Sequence, residues 1–252
     1  KERQKEEIMN KTAIITGASR GIGYETALLL AKNNYNVVIN YNQSENEALK
    51  LLGKIEDSGG RGLIFKADIK NRLEVKKMVK KTLEVFGDID LLVNNAGISS
   101  IKLFMDITED EWDDMFDINV KGAFNLTQEV LPCFIHKKRG KIINISSMWG
   151  ITGASCEVHY SASKAALIGF TKALAKELGP SNIQVNCIAP GVVETNMLNG
   201  LSDGDKKALA EEIPLGRFAI PAEIAELVLF LSSEKADYIT GQVISPNGGL
   251  VI

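Results

Sequence analysis

Thr16-Gly17-Ala18-Ser19-Arg20-Gly21-Ile22-Gly23 sits between a short apolar run and a stretch of helical periodicity, and its reading decides the fold. Upstream, Thr12-Ala13-Ile14-Ile15-Thr16 has the length and apolar character of a buried strand. Downstream, residues 21–32 place Ile22, Ala27, Leu30 and Ala31 on one helical face. Gly17 permits a tight turn through backbone angles closed to other residues. Gly21 lets the backbone approach a pyrophosphate, and Gly23 lets the helix pack close to the sheet. The helix start then offers free N–H groups and a positive dipole to an anion. Gly-x-x-x-Gly-x-Gly alone is a weak signal, equally an ordinary turn. Its position after the first strand makes Gly17, Ser19, Arg20, Gly21, Ile22 and Gly23 the candidate phosphate cradle.

Outward from this loop, strand-like and helix-like segments alternate almost to the end. Strands are predicted at 12–16, 36–40, 62–66, 90–93, 141–146, 183–188 and 242–245. Helices are predicted at 21–32, 44–57, 72–86, 109–136 (in one piece or two), 160–178 and 221–231. The strands are continuously apolar, as in a parallel sheet covered on both faces. Strand–helix alternation with short connections gives the fold class: α/β, a single Rossmann-type doubly wound parallel sheet. Residues 1–9 read as a flexible, solvated tail with Met9 as the natural start, and residues 10–252 as one dinucleotide-binding catalytic domain. Residues 190–216 form a long insertion rich in Gly, Asn and Asp, with a short helix near 205–212. Such insertions serve as lids or binding loops, here over the substrate.

Composition narrows the function classes. The 252 residues are 45% hydrophobic and 24% charged, as in globular proteins, and the net charge of −3 supplies no basic field for nucleic acid or anionic membrane. No apolar run reaches the ~18 residues of a membrane span. Cys133, Cys156 and Cys187 lack metal-ligand spacing and read as free thiols of a reducing, cytoplasmic compartment. No His/Cys/carboxylate cluster calls for a metal.

The candidate chemistry lies at Tyr160-Ser161-Ala162-Ser163-Lys164, where a spacing of four puts phenol and ammonium on one helical face. A free phenol titrates near ~10, and a neighbouring ammonium would lower that value toward neutral pH. A half-buried Tyr beside a snorkelling Lys would have the same spacing. Position favours chemistry: Ser147 falls just past the 141–146 strand, where ligands bind in open α/β sheets. Asn94-Asn95-Ala96-Gly97 follows the fourth strand, and Asn119 interrupts an apolar helical stretch and needs polar partners. The second strand ends Ile39-Asn40-Tyr41-Asn42 with no acid before Glu45. An acid there would repel a 2′-phosphate; its absence, with Arg20 nearby, favours NADPH over NADH. Arg20 is also readable as a solvated loop charge.

Taken together, Thr16-Gly-x-x-x-Gly-x-Gly23, Asn94-Asn-Ala-Gly97, Asn119, Ser147, Tyr160-x-x-x-Lys164 and Pro190-Gly191 resemble the short-chain dehydrogenase/reductases, in order and spacing, over residues 10–252. That resemblance implies Tyr160 as acid/base, Lys164 as the group that lowers its pKa and holds the nicotinamide ribose, Ser147 as the carbonyl-orienting hydroxyl and Asn119 as support for a water relay. It places Asp68 and Ile69 at the adenine and Asn95, Ala96 and Gly97 along the adenosine ribose. Asn40 and Tyr41 fall beside the cofactor, and Pro190, Gly191, Val193 and Thr195 cover the nicotinamide. The cofactor supplies the hydride; the protein supplies position and a proton.

Within the family, Val185-Asn186-x-Ile-Ala-Pro190-Gly191, Glu194-Thr195 and Gly241-Gln242-x-x-x-x-Asn247-Gly248-Gly249 look like 3-oxoacyl-(acyl carrier protein) reductases. The implied activity is NADPH-dependent reduction of a 3-oxoacyl thioester to its 3-hydroxyacyl form, in a homotetramer built through the central helices and C-terminal region. His136-Lys137-Lys138-Arg139 would suit acyl carrier protein, or is a solvated helix end. Ser181 stands where carrier-docking relatives often have Arg. Trp149-Gly-x-Thr-Gly-Ala-Ser-Cys-Glu157, Glu212-Ile-Pro-x-Gly-Arg217 and Ser233-Glu-Lys-Ala-x-Tyr-Ile-Thr-Gly-Gln242 resemble a second branch, the elongation factor P 5-aminopentanone reductases. There Trp149 and Cys156 would flank the substrate mouth, or serve as packing residues. Another small ketone or alcohol is a further substrate reading. Outside enzymes, a dinucleotide sensor would keep the glycine loop without needing Asn119, Ser147, Tyr160 and Lys164.

Overall fold

A computed structural model describes residues 10–195, 198, 200 and 202–252. The expected tail, residues 1–9, lies outside the described residues. Seven strands, all parallel, form one sheet in the order β3-β2-β1-β4-β5-β6-β7. They are β1 (Lys11–Ile15), β2 (Tyr35–Tyr41), β3 (Arg61–Lys66), β4 (Leu91–Asn94), β5 (Gly140–Ile145), β6 (Ile183–Ile188) and the two-residue β7 (Val243–Ile244). The order reverses between β1 and β4, the place where such sheets open a ligand crevice.

Side chains alternate across the sheet into two cores. On one face Ala13, Ile15, Val37, Ile39 and Val93 pack against α1 (Gly21–Lys32), α2 (Glu45–Asp57) and α9 (Pro221–Ser232). On the other, Ile14, Val38, Leu92 and Ile142 meet α3 (Arg72–Phe86), α5 (Gly122–Lys137) and α7 (Val158–Leu178). Strands apolar at every position are thus buried on both sides. No helix among the described residues is long and apolar enough to cross a membrane.

Local chemistry sets the helix ends. Asn71 caps α3 by accepting from Leu73 N at 3.0 Å, and Gly87, at φ 81°, closes it. α4 (Glu109–Phe116) opens with a capping box between Thr108 and Glu111. The long pattern at 109–136 is two helices, α4 and α5, joined by a π turn at Asp117–Lys121. In the insertion, α8 (Asp203–Glu212) starts two residues before the predicted helix because Ser202 and Asp205 cap it there. A one-turn helix, α6 (Trp149–Thr152), follows β5 where no element was expected. α7 begins at Val158 rather than Tyr160.

Candidate active site

The glycine loop closes over the sheet exactly where β1 and β4 part. Gly17 and Gly21 both adopt left-handed backbone angles, φ 60° and 58°. A Cβ at Gly17 would stand 2.9 Å from Ala96 Cα, and one at Gly23 would meet the Asn95 amide at 2.6 Å and Gly17 O at 2.7 Å. Thr16 locks the two loops together: its hydroxyl accepts from Asn95 N and Ala96 N, both at 2.9 Å. Asn95 Nδ2 returns bonds to Thr16 O at 2.9 Å and Gly17 O at 3.2 Å. No side chain caps α1, so its first-turn N–H groups face the crevice, with the exposed Arg20 at the N-cap position. Two left-handed glycines, an uncapped helix start and close loop packing fit a dinucleotide pyrophosphate.

At the adenosine end the structure redistributes two expected contacts. Asn40 is buried: its Oδ1 accepts from Gly17 N at 3.3 Å and its Nδ2 donates to Ala67 O at 3.0 Å. It therefore holds the glycine loop to the end of β3, one step behind any ligand. Tyr41 belongs to the core, and its hydroxyl donates to Glu45 at 3.0 Å. Burial first, then that carboxylate, pushes its phenol up. Asp68 is partly exposed at the end of β3, its Oδ1 accepting from Lys70 N at 3.1 Å. The Ile69 side chain is packed in the core.

Four candidate catalytic residues converge beyond β4 and β5. Tyr160, Lys164, Ser147 and Asn119 are each less than a tenth exposed. The Ser147 hydroxyl stands close enough to the Tyr160 phenol to favour its ionised form. Lys164 Nζ donates to Ile145 O at 2.9 Å and lies 5.7 Å from the Tyr160 ring centre. Asn119, at the centre of the π turn, accepts from Ile98 N at 2.8 Å and donates to Ile98 O and Ser163 Oγ, both at 3.0 Å. Ser163 Oγ in turn donates to Tyr160 O at 2.8 Å. A Cβ at Gly97 would lie 3.1 Å from both Asn119 Oδ1 and Lys164 Nζ, so this glycine keeps open the space where both groups meet.

Burial dominates the electrostatics of Tyr160 and Lys164. It pushes the Tyr160 phenol up to about 12; the Ser147 hydroxyl pulls it down and the Glu157 carboxylate pushes it further up. It lowers the Lys164 pKa to about 8, with Cys187 as the counteracting influence, and the Lys164 ammonium donates to Ile145 O. Burial thus favours the neutral form of Tyr160.

Beyond β6, the backbone ties the Ser147 turn to the Pro190 turn. Ser146 N donates to Ile188 O at 2.7 Å, and Met148 N to Pro190 O at 2.9 Å. Gly191 lets the chain pass Asn247, whose Cα an added Cβ would meet at 2.7 Å. Val193 is a core residue bridged to Ala219. Thr195 reaches back to the glycine loop, its methyl 3.3 Å from where a Gly21 Cβ would stand. Residues 196, 197, 199 and 201 of the expected lid lie outside the described residues. The basic run at 136–139 is partly neutralised, since Lys137 pairs with Asp88 at 2.8 Å and Asp90 at 2.9 Å, and Arg139 with Asp90 at 3.3 Å. That pairing favours the helix-end reading of the run.

Several site residues escaped the sequence reading. Thr16 and Ser163 position others through hydroxyls, and Ser163, inside Tyr-x-x-x-Lys, was the traceable one. Gly150 lets α6 press on α7: a Cβ there would sit 2.7 Å from Lys164 C. His159, fully buried, shares a 2.7 Å hydrogen bond between its Nε2 and Ser100 Oγ, and Lys102 N donates to Cys156 O at 2.7 Å. These contacts stitch the loop after β4 to the start of α7.

Comparison with known proteins bears on this constellation. Residues 11–206 match the family model described as short chain dehydrogenase. A Staphylococcus epidermidis protein named 3-oxoacyl-(acyl-carrier-protein) reductase FabG is 46% identical over 242 residues, covering 96% of this chain and 99% of its own. A Thermotoga maritima protein of the same name is 42% identical over 248 residues, covering 96% and 98%. The uncharacterized oxidoreductase YmfI of Bacillus subtilis is 45% identical over 242 residues, covering 96% and 99%.

Proposed function

The chain belongs to the short-chain dehydrogenase family, a family of oxidoreductases, and on that premise we propose that it is an NADPH-dependent carbonyl reductase acting on a 3-oxoacyl thioester borne by acyl carrier protein. The observation that carries the reaction is the convergence of buried Tyr160, Lys164, Ser147 and Asn119 at the carboxyl ends of the strands, with Gly97 keeping open the space beside Asn119 Oδ1 and Lys164 Nζ. The names of the 3-oxoacyl reductases above support the substrate.

A nicotinamide cofactor, when bound, would supply the hydride for the carbonyl carbon. Ser147 and Tyr160 present two hydroxyls to the carbonyl oxygen and orient it. As that oxygen gains charge, the neutral Tyr160 phenol donates its proton to an oxyanion far more basic than a phenolate. Lys164 holds the nicotinamide ribose, and Asn119 keeps Gly97 and the start of α7 in register around it. Asp68, Ile69, Asn95, Ala96 and Gly97 line the adenosine side. Arg20, with no acid at the end of β2, favours the 2′-phosphate of NADPH. Pro190, Gly191, Val193 and Thr195 anchor the 190–216 lid over the substrate. A cytoplasmic homotetramer completes the reading.

The test is NADPH oxidation with an acetoacetyl thioester, small ketones and elongation factor P carrying a 5-aminopentanone group, using Tyr160→Phe as control. The thioester should be turned over, and Tyr160→Phe should bind NADPH yet lose about 10²–10⁴-fold in rate. Equal rates in variant and parent remove Tyr160 as the acid. Preference for the modified factor replaces the thioester, and cofactor binding without turnover of any carbonyl makes the chain a dinucleotide sensor.

A further inference from the structure

Asn144-Ile145-Ser146-Ser147 carries two buried polar side chains, Asn144 and Ser146, that the reaction above leaves without a task. Alternate residues of a strand share a face, so Ile142, Asn144 and Ser146 form one row on β5. At the amino end the row is apolar: Ile142 shares a core with Ala175 and Leu178 of α7. Toward the site it turns polar. Asn144 Nδ2 donates to Thr171 Oγ1 at 2.8 Å, and Ser146 Oγ donates to Lys164 O at 2.8 Å. On α7 the buried residues Tyr160, Lys164, Leu167, Thr171, Ala175 and Leu178 recur at steps of three and four, a single stripe that meets this row.

Asn144 has a second tie. It pairs in register with Asn94 on β4, and its Oδ1 accepts from Asn94 Nδ2 at 2.8 Å. Asn94 Nδ2 also reaches Thr127 Oγ1, on α5, at 3.4 Å. Thr171 Oγ1 donates in turn to Leu167 O at 2.8 Å. Asn144 thus joins three elements that carry the site: β4 leads into residues 95–97, β5 leads into Ser147, and α7 bears Tyr160 and Lys164. Asn94, Asn144 and Thr171 are each no more than 5% exposed. Such a network is a poor source of stability. Each polar group gives up water to enter the core, and Asn94 Oδ1 finds no hydrogen-bond partner among the described residues. What the network supplies is direction. Apolar packing is non-directional and tolerates a small slide of a helix along a sheet, whereas hydrogen bonds with fixed donors and acceptors do not.

We propose that Asn144 is a positioning residue for the reduction: its amide sets the register of α7 along β5, and so brings Tyr160 and Lys164 to Ser147. This rests on the reductase reading above and deepens it. α7 runs unbroken from Val158 to Leu178, so a slide at Thr171 is carried to Lys164 and Tyr160, about two and three turns upstream. A misplacement of about 1 Å there costs up to about a hundredfold in rate.

Three variants separate positioning from packing. Thr171→Val removes the acceptor and keeps the shape, and Thr171→Ser keeps the acceptor. Asn144→Leu combined with Thr171→Val replaces both partners by apolar groups, a change that leaves stability nearly intact. Melting temperature, kcat and KM are measured for each with NADPH and an acetoacetyl thioester. The double variant should melt within about 4 °C of the parent. It should nevertheless lose kcat and kcat/KM together, by about ten- to a hundredfold. Thr171→Val should lose kcat as well, and Thr171→Ser should stay within about threefold of the parent. A double variant that keeps kcat within about threefold of the parent overturns the proposal. So does a kcat that declines only in step with the melting temperature, or a loss in Thr171→Ser equal to that in Thr171→Val. If the double variant does not fold, the comparison of Thr171→Ser with Thr171→Val decides. Each of these outcomes leaves the reductase reading standing as long as the parent turns over; a parent that turns over no carbonyl overturns both.

Discussion

Replacing Asn119 by Leu removes three hydrogen bonds to oxygen and nitrogen partners, besides the one to the Met115 sulfur, while keeping the branched shape of the side chain. The amide accepts from Ile98 N at 2.8 Å and donates to Ile98 O and Ser163 Oγ at 3.0 Å, in a site 1% exposed. At a net 0.5–1.5 kcal/mol each, the loss is about 2–4 kcal/mol. For a chain of this size that lowers the melting temperature by roughly 5–15 °C. The more specific readout is amide exchange at Ile98, whose N–H has the Asn119 oxygen as its acceptor. Exchange there should accelerate about tenfold or more beyond any global change, because each 1.4 kcal/mol of opening free energy is a factor of about ten. Turnover should fall as well, since Gly97 and the Ser163–Tyr160 link lose their brace. A melting temperature within about 2 °C of the parent, with Ile98 exchange unchanged, would refute the claim that this amide organises the site.

The free enzyme's kcat/KM for reduction should be level at neutral pH and fall about tenfold per unit above pH 8. Lys164, lowered to about 8 by burial, loses its proton there while Tyr160, near 12, keeps its own. A profile level to pH 10 would show that the Lys164 charge is not needed. Arg20→Glu should raise KM for NADPH on the order of tenfold relative to NADH; an unchanged ratio removes Arg20 from cofactor choice.

Much of the fold was legible because its punctuation is chemical. Helices α1 and α3 and strand β6 have the bounds read from sequence, and α3 shows why: Asn71 and Gly87 mark its ends in plain residue types. The start of α7 was misplaced because Glu157 makes no side-chain cap, so nothing in the sequence flags that boundary. The one-turn α6 carries glycines at 150 and follows with another at 153, and four residues are too few for periodicity to register. Within the site, Tyr160, Lys164, Ser147 and Asn119 are brought together as their spacing suggested. The electrostatic relation between phenol and ammonium was not readable, since it depends on where Lys164 Nζ finds its acceptor. Asn40 and Tyr41 mark the same limit: a residue type announces polar contact, but only the tertiary arrangement shows whether a ligand or the chain receives it.

The wide turn at Asp117–Lys121 behaves as one surplus residue inside an otherwise continuous helical rod. Excising a single position there would restore regular winding from Glu109 to Lys137 and rotate everything upstream by about 100°, one residue's share of a 3.6-residue turn. Asn119 would then look away from Ile98 and Ser163. Local regularity and chemical competence therefore pull in opposite directions along this rod, and shortening it offers a route to a well-ordered descendant that has lost its reaction.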